Sequence, residues 1–351
     1  MKAKMRERVA LLLLQNTTPI LFIIIFLFFG TQSSRFLDPQ NIQNIIKQAS
    51  FTGIIAVGMT FVLLTAGVDL SVGSIMYLAP MVAGLLLRDY HIGVVAALAV
   101  SILVGALFGL VNALCVVKFR IAPFLTTMAT MTIGRGLGIS LTKSRSLDFP
   151  QKVLDFGQWE LLGKIPLATV AFVIVVVIAH FILTRTPFGR QIYAVGNDRE
   201  AAQKAGLNTS RITMGVYVLS GMCAGLGGFI LVSQIGRLDA PFGKGNEFDA
   251  IAAAVLGGAS LFGGVGNAFG AVIGSVLVQM VQNGLVFTQV DLYLQPMIEA
   301  GVIFLAVFFD SLRGMRLAKM RRRYIRIPTD RSSQQQRTES AGKGLLHSPG
   351  D

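Results

Sequence analysis

Long apolar stretches alternate along the chain with short polar joints. The apolar runs occupy residues 9–30, 45–66, 70–87, 92–117, 124–141, 166–183, 212–235, 250–261, 269–288 and 294–310. A helix crosses the hydrocarbon core of a bilayer with roughly 20 mostly apolar residues, so the pattern predicts about ten spans. The class expected is an all-α polytopic membrane protein. Two runs are irregular. "LLLLQNTTPI" interrupts the first, and Pro19 begins or kinks a helix there. The eighth is short and runs into "LGGASLFGGVGNAFG", which reads as a broken helix.

One joint is out of keeping with its neighbours. "FGRQIYAVGNDREAAQKAGLNTSR", residues 188–211, is charged, alanine-rich and helix-forming. Asn197 followed three residues later by Glu200 makes a capping pair and Gly206 a stop, so the spacing predicts a helix over 198–205. At 1.5 Å per residue it is about 12 Å long. Ala201, Ala202 and Ala205 form a small flat face, with Arg199, Glu200 and Lys204 pointing elsewhere. A helix so short is unstable alone. Spacing leaves two roles open: a docking element braced between membrane helices, or an amphipathic connector resting on lipid headgroups.

Composition fixes the solvent. Hydrophobic residues make up 53% of the chain and charged residues 14%, and mean hydropathy is +0.65, beyond what a soluble domain tolerates. The 38 glycines fit closely packed membrane helices. A net charge of +13 would point to nucleic acid in a soluble protein, but here the basic residues gather in joints and tail. Topology accounts for them, and no nucleic-acid partner is expected. With the N-terminus inside and ten spans, 21 lysines and arginines fall on the cytoplasmic side and nine outside, with Arg135 inside a span. Both termini are then cytoplasmic. Residues 1–315 form the transmembrane domain. Residues 316–351 form a basic tail too poor in hydrophobics to fold, suited to anionic lipid. No small-x-small cleavage site precedes "TQSSRF", so the first run reads as a retained anchor. Cys115 and Cys223 stand alone, and His91, His180 and His347 form no HExxH pattern. Neither a metal nor another cofactor is expected.

The spans hold few charges and several uncharged polar groups. Asn112, Thr126, Thr127, Thr130, Gln279, Gln282 and Asn283 either line a path for a neutral, hydroxylated solute or hydrogen-bond helices together. Asp69, in "GVDLSVGS", caps a helix start together with Ser71 or fixes a break where the path gates. Arg135 and Glu299 lie inside spans, roughly 9 and 8 Å deep. Snorkelling to the interface is the first reading for both, and an interhelical ion pair the second. Arg237, Asp239, Lys244, Glu247 and Asp249 form a mixed-charge outer rim.

Five stretches, in order, resemble the permease subunits of ribose-type ABC sugar importers. They are "GMTFVLLTAGVDLSVGSI", "VNALCVVKFRIAPFLTTMATM", "FGRQIYAVGNDREAAQKAGL", "VYVLSGMCAGLGG" and "EFDAIAAAVLGGASLFGGVG". The resemblance runs from Asn41 to Asp310. It reads Gly196-Asn197 where many members carry an extra glycine. It implies that the joint holds the helix that docks in a groove of a cytoplasmic ABC ATPase, through Gly189, Arg190, Gly196, Asn197, Glu200, Ala201, Ala202, Ala205 and Gly206. It also implies that Asp69, Ser71, Asn112, Thr126, Thr127, Gln279 and Asn283 lie on the path or its gate. Arg237, Lys244, Glu247 and Asp249 would meet a periplasmic sugar-binding protein. The chain lacks a GxxxxGK[ST] loop, so ATP hydrolysis is expected on another chain. The expectation is a non-enzymatic, multi-pass permease subunit of the bacterial inner membrane, dimeric with a second permease, importing a monosaccharide or similar polyol. Nucleosides and autoinducer-like furanosyl compounds stay open as substrates. A stand-alone secondary transporter is the rival, weakened because Glu299 is the one carboxylate inside a span that could couple to ions.

Overall fold

The computed structural model describes residues 17–291, 293–301, 304–305 and 308. The N-terminal basic stretch, the start of the first run, parts of the last run and the whole 316–351 tail lie outside the described residues, and with them the placement of both termini.

The helices follow the apolar runs, with ends set by local chemistry. α1 is Thr17–Gln32, and a 3-10 turn, Ser34–Leu37, leads into α2, Pro39–Leu64. Asp38 caps α2 by accepting from the Gln40 amide at 3.0 Å, with Pro39 in the first turn, where a missing N–H costs nothing. α3 is Val72–Tyr90, α4 Val94–Val117 and α5 Pro123–Thr142. α6 is the short helix Gln151–Gly157, and α7 is Leu167–Arg185. α8, Pro187–Asn197, and α9, Arg199–Lys204, form the polar joint. α10 is Thr209–Ile235, capped by Asn208, which accepts from the Arg211 amide at 3.0 Å, and stopped by Gly236 in the left-handed region. α11 is Asn246–Leu256 and α12 is Ala268–Phe287.

Among the described residues, six helices are long and apolar enough to cross a membrane: α2, α3, α4, α7, α10 and α12. They match the second, third, fourth, sixth, seventh and ninth apolar runs. α5 has the length, but its threonines and glycines keep it out of that set. α11 is 11 residues, about 16 Å, too short for a core of about 30 Å. The eighth run is therefore a half-helix. Residues 236–245 lead into it through the two-residue strand Arg237–Leu238 and a run of turns.

The 143–164 segment departs from the all-helical expectation. Leu147–Asp148 (β1) pairs antiparallel with Arg237–Leu238 (β4), and Glu160–Leu161 (β2) with Ile165–Pro166 (β3). These two-residue pairs satisfy loop backbone rather than build a sheet.

α2 and α3 bury most of their surface, while α4 and α7 leave most of theirs open. The open faces carry Val95, Leu103 and Leu107 on α4 and Val173, Val177 and Phe181 on α7, side chains suited to lipid. α10 runs through the centre against α2, α3 and α4. Its crossing with α4 brings backbones into touch: a Cβ at Gly105 would sit 2.1 Å from the Gly221 carbonyl oxygen, and one at Gly221 equally close to that of Gly105. Ser101 Oγ donates to the Gly225 carbonyl at 2.8 Å one turn away. Small residues at such a crossing let dispersion act over the full contact.

Candidate functional site

The polar joint folds as two short helices rather than one. Thr186 caps α8, its Oγ1 accepting from the Gly189 amide at 3.2 Å, and Ile192 and Val195 turn into the core. α9 is capped by Asp198, whose Oδ1 accepts from the Ala201 amide at 2.9 Å, so the expected cap at Asn197 is one residue early. Sequence reasoning missed α8 because its three buried positions sit among polar ones. Their spacing, Gly189, Ile192 and Val195, was the available signal.

The expected alanine face is split. Ala202 is buried in the apolar core, whereas Ala201 and Ala205 are exposed. Ala202 therefore seats the helix against the core. Gly189 and Gly196 are also seats. Any side chain at Gly189 would strike the Ile182 and Leu183 carbonyls, and one at Gly196 would strike the Leu64 carbonyl. The outward set is Arg190, Asn197, Glu200, Ala201, Ala205 and Gly206.

Deeper in the bundle, Asp69 is fully buried at the break between α2 and α3. Its Oδ1 accepts from the Ser71 amide at 3.0 Å and from Ser71 Oγ at 2.6 Å, and its Oδ2 accepts from Ser220 Oγ on α10 at 2.9 Å. Asn112 Nδ2 on α4 donates to Ser71 Oγ at 2.7 Å, and Thr130 Oγ1 on α5 donates to Asn112 Oδ1 at 2.6 Å. One polar chain thus ties α3, α4, α5 and α10 to the break. Ser71, Asn112 and Thr130 are thus brought together with Asp69. Ser220 was not foreseen. No ion pair to Asp69 occurs among the described residues, so hydroxyl and amide donors alone offset its desolvation.

Other polar residues sit elsewhere. Thr127 Oγ1 donates to the Pro123 carbonyl of its own helix at 2.9 Å, and Thr126 Oγ1 is buried with no hydrogen-bond partner among the described residues. Gln279 Nε2 donates to Thr52 Oγ1 at 3.2 Å and Asn283 Nδ2 to Gln48 Oε1 at 3.4 Å, both joining α12 to α2 and neither joining the Asp69 chain. Gln282 Nε2 donates to Asp249 Oδ2 at 3.3 Å.

The outer rim is only partly a rim. Arg237 faces Asp148 at 3.9 Å with both side chains exposed, and Lys244 is exposed. Glu247 is buried, its Oε2 accepting from the Gly245 amide at 3.2 Å beside Gly73, so it shapes the entry to α11 instead of facing outward. Asp249 is half-buried. Arg135 makes no ion pair with Glu299 among the described residues: its NH1 donates to the Ala240 and Phe242 carbonyls at 2.9 and 3.1 Å, and its guanidinium lies 5.7 Å from the centre of the Tyr77 ring. It pins the irregular 236–245 segment to α5.

A family model described as "Branched-chain amino acid transport system / permease component" matches residues 41–308. The ribose import permease protein of Bacillus subtilis (strain 168) is 37% identical over 298 residues, 84% of this chain and 91% of that one. The D-allose transport system permease protein of Escherichia coli (strain K12) is 35% identical over 294 residues, 84% and 90%. The L-arabinose ABC transporter permease protein of Azospirillum brasilense is 34% identical over 312 residues, 89% and 91%. No solved structure matches the chain.

Proposed function

Because this chain belongs to that permease-component family, we propose that it is the membrane-spanning subunit of a bacterial ABC importer for a monosaccharide or similar polyol. The observation that carries this is near-full-length similarity to relatives named for ribose, allose and arabinose, all neutral hydroxylated solutes. It is a transport subunit and not an enzyme, and it works with a cytoplasmic ATPase and a periplasmic sugar-binding protein.

The finer reading is ours as well. The chain lies in the inner membrane with about ten spans, α11 and its irregular lead counting as one, and both termini inside. Residues 187–206 couple to the ATPase through the outward side chains of α8 and α9. The Asp69 chain holds a gate, and the exposed rim of Arg237 and Lys244 orients the binding protein. The permease is a dimer. α5 supports this, since it leaves the small residues Thr132, Gly136 and Ser140 exposed beside Met128, Ile133 and Leu137, a mixed stripe of the kind that packs closely on another membrane helix.

The test is uptake of labelled ribose, allose and arabinose into vesicles holding the permease and its cognate ATPase and binding protein. Uptake of at least one should require both ATP and the binding protein. Uptake driven by an ion gradient without ATP would return the secondary-transporter reading, and preference for a nucleoside would overturn the sugar assignment.

A further inference from the structure

The glycine-rich run after α11 is not used by any role assigned so far. Residues 260–265 close a tight turn: the Ser260 amide donates to the Val265 carbonyl at 2.9 Å, the Gly263 amide to the Ser260 carbonyl at 3.1 Å, and the Phe262 amide to Ser260 Oγ at 3.2 Å. Gly263 and Gly264 both adopt positive φ, 87° and 71°, which a side chain would resist. The turn is also anchored from outside. The Gly264 amide donates to the Leu64 carbonyl at the end of α2 at 3.0 Å, and Tyr193 Oη on α8 donates to the Gly266 carbonyl at 2.7 Å. Gly263 and Gly264 press against the backbone of Gly196 and Asn197.

This fixed turn holds two apolar side chains outward, Phe262 at 74% exposure and Val265 at 58%. Of the joint residues against which the turn presses, Asn197 is polar and exposed, and Arg190 and Glu200 of the same two helices are exposed as well, so the joint beside the turn presents an aqueous surface. An exposed aromatic side chain held rigidly next to a polar surface is suited to a protein interface. Lipid burial would need an apolar surround that the outward side chains of α8 and α9 do not provide.

We propose that the 260–265 turn is a second docking element for the cytoplasmic ATPase, with Phe262 entering an apolar pocket beside the groove that receives α9. The proposal rests on the coupling role given to residues 187–206, with which the turn is continuous. Because α2, α8 and the turn share contacts, the ATPase would grip the end of α2 as well as the joint.

Full-length permease in lipid nanodiscs is titrated with its cognate ATPase, comparing wild type, Phe262→Ala, Phe262→Leu and Ala201→Arg. Phe262→Ala should weaken binding about tenfold, in line with loss of a buried aromatic contact, and Phe262→Leu should restore most of it. Unchanged binding by Phe262→Ala overturns the proposal, and weak binding by Ala201→Arg in the same series leaves the coupling role standing. Normal binding by Ala201→Arg with weak binding by Phe262→Ala does the reverse, supporting the turn and removing the role of α9. As a second measurement, Phe262→Cys in a chain with Cys115 and Cys223 replaced by alanine is labelled with a water-soluble thiol reagent. Protection on adding the ATPase supports the proposal. A thiol already shielded by the nanodisc alone, or labelled equally with and without the ATPase, overturns it.

Discussion

Both carboxylate oxygens of Asp69 are engaged, one by Ser71 and the other by Ser220. Asparagine at this position keeps an acceptor for Ser71 but turns an amino group toward the hydroxyl that now donates. The chain can re-form only by reversing Ser220. We expect Asp69→Asn to express and bind ATPase normally, since the side chain is nearly isosteric and caps as well. Sugar taken up per ATP should fall about tenfold, because a hydrogen bond to a charged group is worth roughly 1.5–3 kcal/mol. Rates of uptake and hydrolysis in reconstituted vesicles decide it, and wild-type uptake per ATP would reduce Asp69 to a cap. The Asp69–Ser71 contact was legible in sequence, being local. Ser220 was not, because nothing in "VLSGMCAGLGG" says which of its faces meets a residue 151 positions away. The partners of Arg135 were hidden for a related reason: its acceptors are backbone carbonyls of the 236–245 segment, and carbonyls leave no mark in a sequence.

At the scale of elements, Ala202 marks the difference between a helix's face and its seat. Composition identified the polar joint and its short helix, and Gly206 ended it as expected. The direction of the alanines was beyond reach, because six residues give too little periodicity to fix a face. With Ala202 buried among apolar side chains, Ala202→Arg forces a long charged group into the core. It should destabilise the permease by about 3 kcal/mol, the scale of overpacking combined with a poorly paired charge. Thermal unfolding of the purified permease should register this without any ATPase present. Unchanged stability with lost ATPase binding would mean that Ala202 faces the partner after all.

For the whole molecule, the apolar runs foretold seven of the long helices, α5 included, and the break at the eighth. They could not show that 236–245 lies folded against Arg135 and Gly73, which depends on contacts made by distant helices. The proposed topology places the 143–164 segment outside. A cysteine at exposed Gln158, in a chain lacking Cys115 and Cys223, should react with an impermeant reagent from the periplasmic face alone. Reaction only from the cytoplasm would overturn the span arrangement.

The glycine contact between α4 and α10 bears on how force travels. Two helices whose backbones touch have no side-chain cushion to slide on, so the pair behaves as one strut. Its foot is already attached to the polar joint: the Leu207 amide donates to the Ala202 carbonyl at 3.1 Å, and α10 begins at Thr209. On the coupling proposed for the joint, a push on α9 would enter the strut almost directly. Bending would then fall to the non-helical segments at 65–71 and 236–245, where Asp69 and Arg135 hold the chain to its neighbours.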